Sequence, residues 1–212
     1  MTLTPELLLT AYSQGIFPMA DGPGQISWYS PDPRAILPLD RLHTSRSLAR
    51  YLHSGNFEVR FNSAFLDVIT ACAAPGPGRE ETWISDEIIE AYVWLHQLGF
   101  AHSVETWVEG TLVGGLYGVS LRGLFAGESM FSARPNASKV ALFYLVDRLR
   151  SQGFTLLDVQ FLTPHLERMG AIEVSRGDYQ TMLEQAMTII TRFWPVAGAF
   201  RWELTPHPGD NC

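Results

Sequence analysis

The stretch GLFAGESMFS, residues 123–132, has the composition of a β-strand, yet it carries an acid, Glu128, at its centre. An ionised carboxylate among apolar side chains costs several kcal/mol unless it is paired or hydrogen-bonded. The chain then runs through NASKVALFYLVDRLRSQG (136–153), a helix apolar almost all round and stopped by Gly153, into a second strand, TLLDVQF (155–161). Two strands joined by a helical crossover lie parallel in one sheet. The second strand also carries an acid, Asp158, with an amide two residues on, Gln160. By strand alternation, Asp158 and Gln160 share a face with Leu156, and Glu128 shares one with Leu124, Ala126 and Met130. One such intrusion is usually a satisfied structural carboxylate. Two on neighbouring parallel strands read as the polar floor of an apolar cleft.

Working outward, AHSVETWVEG and TLVGGLYGVSLRG form a hairpin around EGT, and FEVRFN (57–62) alternates as a strand. Residues 3–14 read as a helix with Thr4 as cap and Pro5 at its first position. HTSRSLARYLHSG (43–55) reads as a helix closed by Gly55, AFLDVITACAA (64–74) as one ended by PGPG, and SDEIIEAYVWLHQLGF (85–100) as one capped by Ser85. After TLLDVQF come a short helix, TPHLERMG, a strand, AIEVSR, and a final helix, GDYQTMLEQAMTII. Between the first two helices, GIFPMADGPGQISWYSPDPRAILPL is dense in Pro and Gly. It reads as loop with short extended pieces exposing Phe17, Trp28 and Tyr29. These elements give a mixed α+β or α/β fold: a small N-terminal subdomain over 1–42 and, over 43–212, a mixed sheet with flanking helices. Their order resembles the core of the Gcn5-related N-acetyltransferase fold, in which two parallel strands splay and the acyl donor sits in the gap.

The 212 residues are 46% apolar with no stretch long enough to span a membrane. The N-terminus lacks a basic segment before its apolar run, so it is not a signal peptide. Two cysteines, Cys72 and Cys212, make no disulfide framework, and the expected compartment is the cytoplasm. A net charge of −7 argues against general nucleic-acid binding, but its distribution is uneven. Arg34, Arg41, Arg46, Arg50 and Arg60 cluster in one stretch, whereas residues 80–109 hold seven acids and no Lys or Arg.

Other chemistries fit poorly. The six histidines form no ligand cluster, so no metal is expected. GES is not a nucleophile elbow, and VGGLYG lies within a strand pair rather than opening a helix. An acyl-CoA enzyme needs a Gly-rich turn of N–H donors before the buried helix. Here that place reads SARPNASK, without glycine.

AYSQGIFPM, WYSPDPRAIL, HTSRSL, ETWIS, AYVWLHQLGFAHSVETW, LVGGLYGV, FAGESMFS, NASKVAL and LLDVQF together resemble the bacterial leucyl/phenylalanyl-tRNA–protein transferase family, from about Leu7 to about Leu183. Against the family pattern, LLDVQF lacks a cysteine between Asp and Gln, and an N-terminal extension carried by the best-known members is absent here. The resemblance implies a monomeric enzyme that needs no metal or redox cofactor. It moves Leu or Phe from Leu-tRNA or Phe-tRNA to proteins with N-terminal Arg or Lys, marking them for N-end-rule degradation. Same-donor transfer to acidic N-termini, or a non-catalytic N-degron-binding module, are the alternatives. The resemblance places Asp158 and Gln160 at the acceptor amine, with Asp158 polarising Gln160 and accepting the proton, directly or by relay, or else only positioning the cationic acceptor. Glu128 meets the donor's α-amino group or its adenosine, and Gly127 lets a substrate approach the backbone. Leu116, Phe125, Met130, Leu142 and Leu145 form the donor side-chain pocket. Trp83, Tyr92 and Tyr29 either stack on the terminal adenosine or belong to the core. Arg34, Arg41, Arg46 and Arg50 contact tRNA phosphates. The acidic stretch attracts a basic acceptor or is simply a solvated helix face.

Overall fold

The computed structural model describes residues 3–22, 24–53, 57–75 and 82–193. Gly55, the PGPG stop after Pro75, Glu80, Glu81 and Cys212 lie outside the described residues. The chain opens with α1 (Pro5–Ser13), where the Thr4 hydroxyl accepts the Leu7 N–H at 3.3 Å and Pro5 loses no helical donor. β1 (Phe17–Gly22) and β2 (Gln25–Tyr29) form an antiparallel hairpin, and β3 (Arg34–Ile36) follows. Next come α2 (Arg46–His53), β4 (Glu58–Phe61), α3 (Phe65–Ala73) and α4 (Asp86–Gln97). The central run is β5 (Ala101–Val108), β6 (Thr111–Leu121) and β7 (Leu124–Ser132). The crossover helix α5 (Ala137–Ser151) leads to β8 (Leu156–Gln160), α6 (Pro164–Arg168), β9 (Ile172–Val174) and α7 (Arg176–Thr188).

Seven strands make one mixed sheet in the order β4-β5-β6-β7-β8-β3-β9. All its neighbours are antiparallel except β7 and β8, the pair joined by the crossover. The β5–β6 turn places Glu109 and Gly110 at φ +50° and +75°, the left-handed pair a two-residue hairpin demands. The short extended pieces of the Pro/Gly-rich segment are the strands β1, β2 and β3. β3, which falls inside the expected N-terminal unit of residues 1–42, is a strand of the main sheet, between β8 and β9. Phe17 is fully buried rather than exposed, because β1 folds back against α1.

Each face of the sheet carries its own core. On one face α5 packs Val140, Leu142, Leu145 and Leu149 against Val104, Leu116, Phe125 and Leu157. On the other, α1, α3 and α4 bury Leu8, Tyr12, Val68, Ile88 and Tyr92 against Tyr117, Val119 and Ala126. Burying a Leu or Val side chain contributes about 1.5–3 kcal/mol, so these two layers are the main source of stability.

Strand β7 is interrupted where its acid sits. Gly127 pairs with Gly118 and Ser129 with Tyr117, so Glu128 is one residue too many for its partner strand: a β-bulge. The bulge breaks the alternation. Met130 pairs with Leu116 in the α5 layer, whereas Glu128 bonds tyrosines of the α1/α4 layer, so the two do not share a face as expected. β7 and β8 pair only through Leu124–Leu156, Phe125–Leu157 and Ala126–Asp158, and beyond that register no pairing continues. Gly118 sits opposite the bulge, where a Cβ would meet the Ala126 carbonyl oxygen and the Phe125 ring. Gly118→Ala is expected to destabilise the protein by about 1–3 kcal/mol through forced backbone movement, measured by urea denaturation.

Candidate active site

Where β7 and β8 part, a cavity of about 260 Å³ opens through the sheet. Its apolar side is Leu116, Met130, Leu142, Leu145, Leu157 and Leu166. Opposite stand Trp83, Met19 and Tyr117, with Gly127, Glu128, Ser129 and Gln160 between. A Cβ at Gly127 would meet only the Asp158 carbonyl oxygen, at 3.5 Å, so packing does not demand glycine there. Four of the five expected side-chain-pocket residues line the cavity. Phe125 does not: it is fully buried against Phe193 and the α5 layer. Phe161, Val159, Thr163 and His165 also line it and were not singled out from the sequence.

Glu128 is 8% exposed and has three side-chain partners. The Tyr12 hydroxyl donates to Oε1 at 2.8 Å, the Gln160 amide nitrogen donates to the same oxygen at 2.9 Å, and the Tyr92 hydroxyl lies within hydrogen-bond reach of Oε2 at 3.3 Å. The two phenols also hydrogen-bond each other. Burial pushes the Glu128 carboxyl up to about 8, although the Tyr12 hydroxyl pulls against it. Tyr92 is therefore neither a stacking platform nor only core: it is fully buried with its hydroxyl on Glu128. Tyr12, which the sequence marks only as part of a helix, is the other tether.

Asp158, 1% exposed, is absent from the cavity wall. Arg34 grips it with two parallel bonds, Nε to Oδ1 at 2.9 Å and Nη2 to Oδ2 at 2.6 Å, the planar fork that lysine cannot supply. The Tyr179 hydroxyl donates to Oδ2 at 2.7 Å, and the Gln160 backbone N–H to Oδ1 at 2.9 Å. The expected contact between the Asp158 carboxylate and the Gln160 side chain is thus a contact with the Gln160 backbone. The side-chain amide turns the other way, to Glu128. Gln160 itself has φ +65°, a left-handed conformation rare outside glycine. It ends the strand alternation, and so Val159, Gln160 and Phe161 all reach the cavity.

Arg34 is not a phosphate contact. It is 1% exposed, donates Nη1 to the Gly15 carbonyl at 3.0 Å, and lies 4.7 Å from the Phe17 ring centroid and 4.6 Å from that of Tyr179. A buried guanidinium needs this enclosure, because the carboxylate pairing alone would not offset its desolvation. Arg41, Arg46 and Arg50 are exposed, the last two one helical turn apart on α2. Tyr29 stacks on Phe17 and donates its hydroxyl to Asp21 at 2.5 Å, away from the cavity lining. Within the acidic stretch, Glu105 is fully buried and caps the start of α3, accepting the Ser63 hydroxyl at 2.7 Å and its N–H at 3.2 Å, so it does not face solvent. Among the described residues no group of three or more His, Cys, Asp or Glu side chains is placed to hold a metal. No helix among them is long and apolar enough to cross a membrane.

Two family models match the chain. Residues 1–32 match the leucyl/phenylalanyl-tRNA protein transferase N-terminal domain, and residues 36–184 match leucyl/phenylalanyl-tRNA protein transferase. The chain belongs to the leucyl/phenylalanyl-tRNA protein transferase family. A leucyl/phenylalanyl-tRNA–protein transferase of Herpetosiphon aurantiacus is 56% identical over 192 residues, covering 90% of this chain and 98% of that one. Another, from Gloeobacter violaceus, is 53% identical over 194 residues, covering 91% and 98%. Among solved structures, a Gcn5-related N-acetyltransferase of Kribbella flavida aligns with 81% of this chain and 61% of its own at 10% identity, with a TM-score of 0.44. By its family the chain is an aminoacyltransferase, and its candidate site lies where its own parallel strand pair stops pairing. Removing the Arg34 charge leaves Asp158 stranded in the interior. Arg34→Met is expected to lower stability by about 3–5 kcal/mol at pH 7. Adding Asp158→Asn should restore part of that loss, and urea denaturation of the two single variants and the double variant measures the coupling.

Proposed function

We propose that this chain transfers Leu or Phe from aminoacyl-tRNA to the N-terminal Arg or Lys of acceptor proteins, in the cytoplasm, and so marks them for N-end-rule degradation. The observation that carries this reading is the cavity itself. A wall of Leu116, Met130, Leu142, Leu145, Leu157 and Leu166, suited to a large hydrophobic side chain unbranched at Cβ, stands directly against the Glu128–Gln160 edge, in a chain of this family. The apolar wall takes the donor side chain. The leucines and Met130 sort donors by size, at about 1–3 kcal/mol per methylene. Glu128 meets the donor's α-amine, and Trp83 lies beside the terminal adenosine.

The reaction is aminolysis of an ester: the acceptor amine forms a C–N bond at the carbonyl, and the 3′ oxygen of the adenosine leaves. An α-amine has an ordinary pKa of about 7.7–8.0, so a minority is already neutral at pH 7, and orientation rather than strong base supplies the larger gain. Gln160 orients that amine. Its side chain is fixed at one end by Glu128 and at the other by its own left-handed backbone, which Asp158 locks through the N–H bond. Asp158 therefore acts as a positioning residue, with Arg34 and Tyr179 behind it. Arg41, Arg46 and Arg50 contact tRNA phosphates. With so few cations the tRNA body contributes little, and binding weakens with salt.

A transfer assay with radiolabelled Leu-tRNA and peptides beginning Arg, Lys, Asp, Glu or Ala is expected to label the Arg and Lys peptides only. Labelling of Asp and Glu peptides instead would move the acceptor class, and labelling of none would leave an N-degron-binding module. Gln160→Ala is expected to lower transfer by about 10²-fold, the scale of a lost positioning contact.

A further inference from the structure

Tyr12, Tyr92 and Glu128 meet as a closed triangle of oxygens. Tyr12 lies 2.8 Å from Oε1, Tyr92 lies 3.3 Å from Oε2, and the two phenols bond to each other. Three such contacts need three protons, and two phenols bring two. If both phenols donate to a carboxylate, nothing remains between the phenol oxygens. A proton on Oε2 completes the set by reversing the longest contact: Oε2–H donates to Tyr92, Tyr92 to Tyr12, and Tyr12 to Oε1. The second lone pair of Oε1 takes the Gln160 amide at 2.9 Å.

The charges agree with the proton count. The groups facing Glu128 are Tyr12 from α1, Tyr92 from α4, Tyr117 from β6, Asp158 and Gln160 from β8, and Arg34 from β3. The one cation in this set, Arg34, is gripped bidentately by Asp158. An ionised Glu128 would be a second buried anion with no cation of its own. Burial accordingly holds its carboxyl up at about 8, above neutral pH.

We propose that Glu128 rests as the neutral carboxylic acid and passes its proton to the donor's α-amine when an aminoacyl ester enters the cavity. This rests on the reading that Glu128 meets that amine. The Oε2–H bond breaks and an N–H bond forms. Neutral acid and neutral amine become carboxylate and ammonium, with no proton taken from solvent. The carboxylate is then held by both phenols and the Gln160 amide. Two effects follow for the reaction. An ammonium cannot attack an ester, so the donor is prevented from acting as its own acceptor. Its positive charge also draws electrons from the adjacent carbonyl, which makes that carbon easier for the acceptor to attack.

Infrared difference spectra between the full chain and Glu128→Gln are expected to show the stretch of one protonated carboxyl at pH 7. In the unmodified protein that band should fade as pH rises through about 8. Tyr92→Phe, which removes a donor to the carboxylate, should shift the midpoint upward. Saturating leucyl-adenosine with an amide in place of the ester should abolish the band, whereas the α-hydroxy analogue should leave it. No protonated carboxyl in the free protein at pH 7 overturns the proposal, as does a band that survives the amine analogue. The titration needs no variant, so misfolding of Glu128→Gln does not remove the test. Peptide labelling is measured separately, so an inactive transferase with an intact band would sink the transfer reading and leave the resting proton standing.

Discussion

The buried pair of Arg34 and Asp158 is the constraint on which the rest of the site depends. Two charges removed from water are unfavourable by several kcal/mol each, and their attraction offsets this only when every remaining donor and lone pair is occupied. Here they are: by the Gly15 carbonyl, the Tyr179 hydroxyl, the Gln160 N–H and the rings of Phe17 and Tyr179. The pair thereby fixes the end of β8. With Asp158 immobile, Gln160 is held in a conformation it would otherwise avoid, and its amide faces Glu128 rather than continuing the strand. The gap beside β7 follows from that turn.

The bulge on β7 does the complementary work. A regular strand would have kept Met130 on the face of Ala126 and Glu128, in the α1/α4 layer. One extra residue turns Met130 to Leu116 and the leucines of α5, while Glu128 stays with Tyr12 and Tyr92. The cavity thus has an apolar wall in one layer and its polar fittings at the seam between layers. Chemistry of opposite character is kept apart by strand geometry rather than by distance.

The strand-helix-strand order and the parallel pair were legible in the sequence, because periodicity and glycine stops report them directly; of the two acids expected in the cleft, Glu128 lines it and Asp158 lies behind it on Arg34. Leu116, Met130, Leu142 and Leu145 were legible through the family resemblance. Arg34 was misread because a cluster of arginines looks alike in one dimension, and only β3 entering the sheet beside β8 brings this one to Asp158. Tyr12 and Tyr179 were invisible for a similar reason: each sits on an ordinary amphipathic helix, and its partner lies more than a hundred residues away for one and twenty-one for the other. Phe125 was assigned to the pocket by the same resemblance, and its burial away from the cavity depends on Phe193 and α5, which no local pattern encodes.

The positions that fix Asp158 come from the chain's first thirty-five residues and from its last described helix. During synthesis, β3 emerges long before α7, so Arg34 has no carboxylate until β8 is made, and that carboxylate lacks one hydroxyl until Tyr179 leaves the ribosome. Truncated products end with an incomplete grip on Gln160. The grip on Asp158, and through it on Gln160, is in this way completed late, with nearly all of the fold in place.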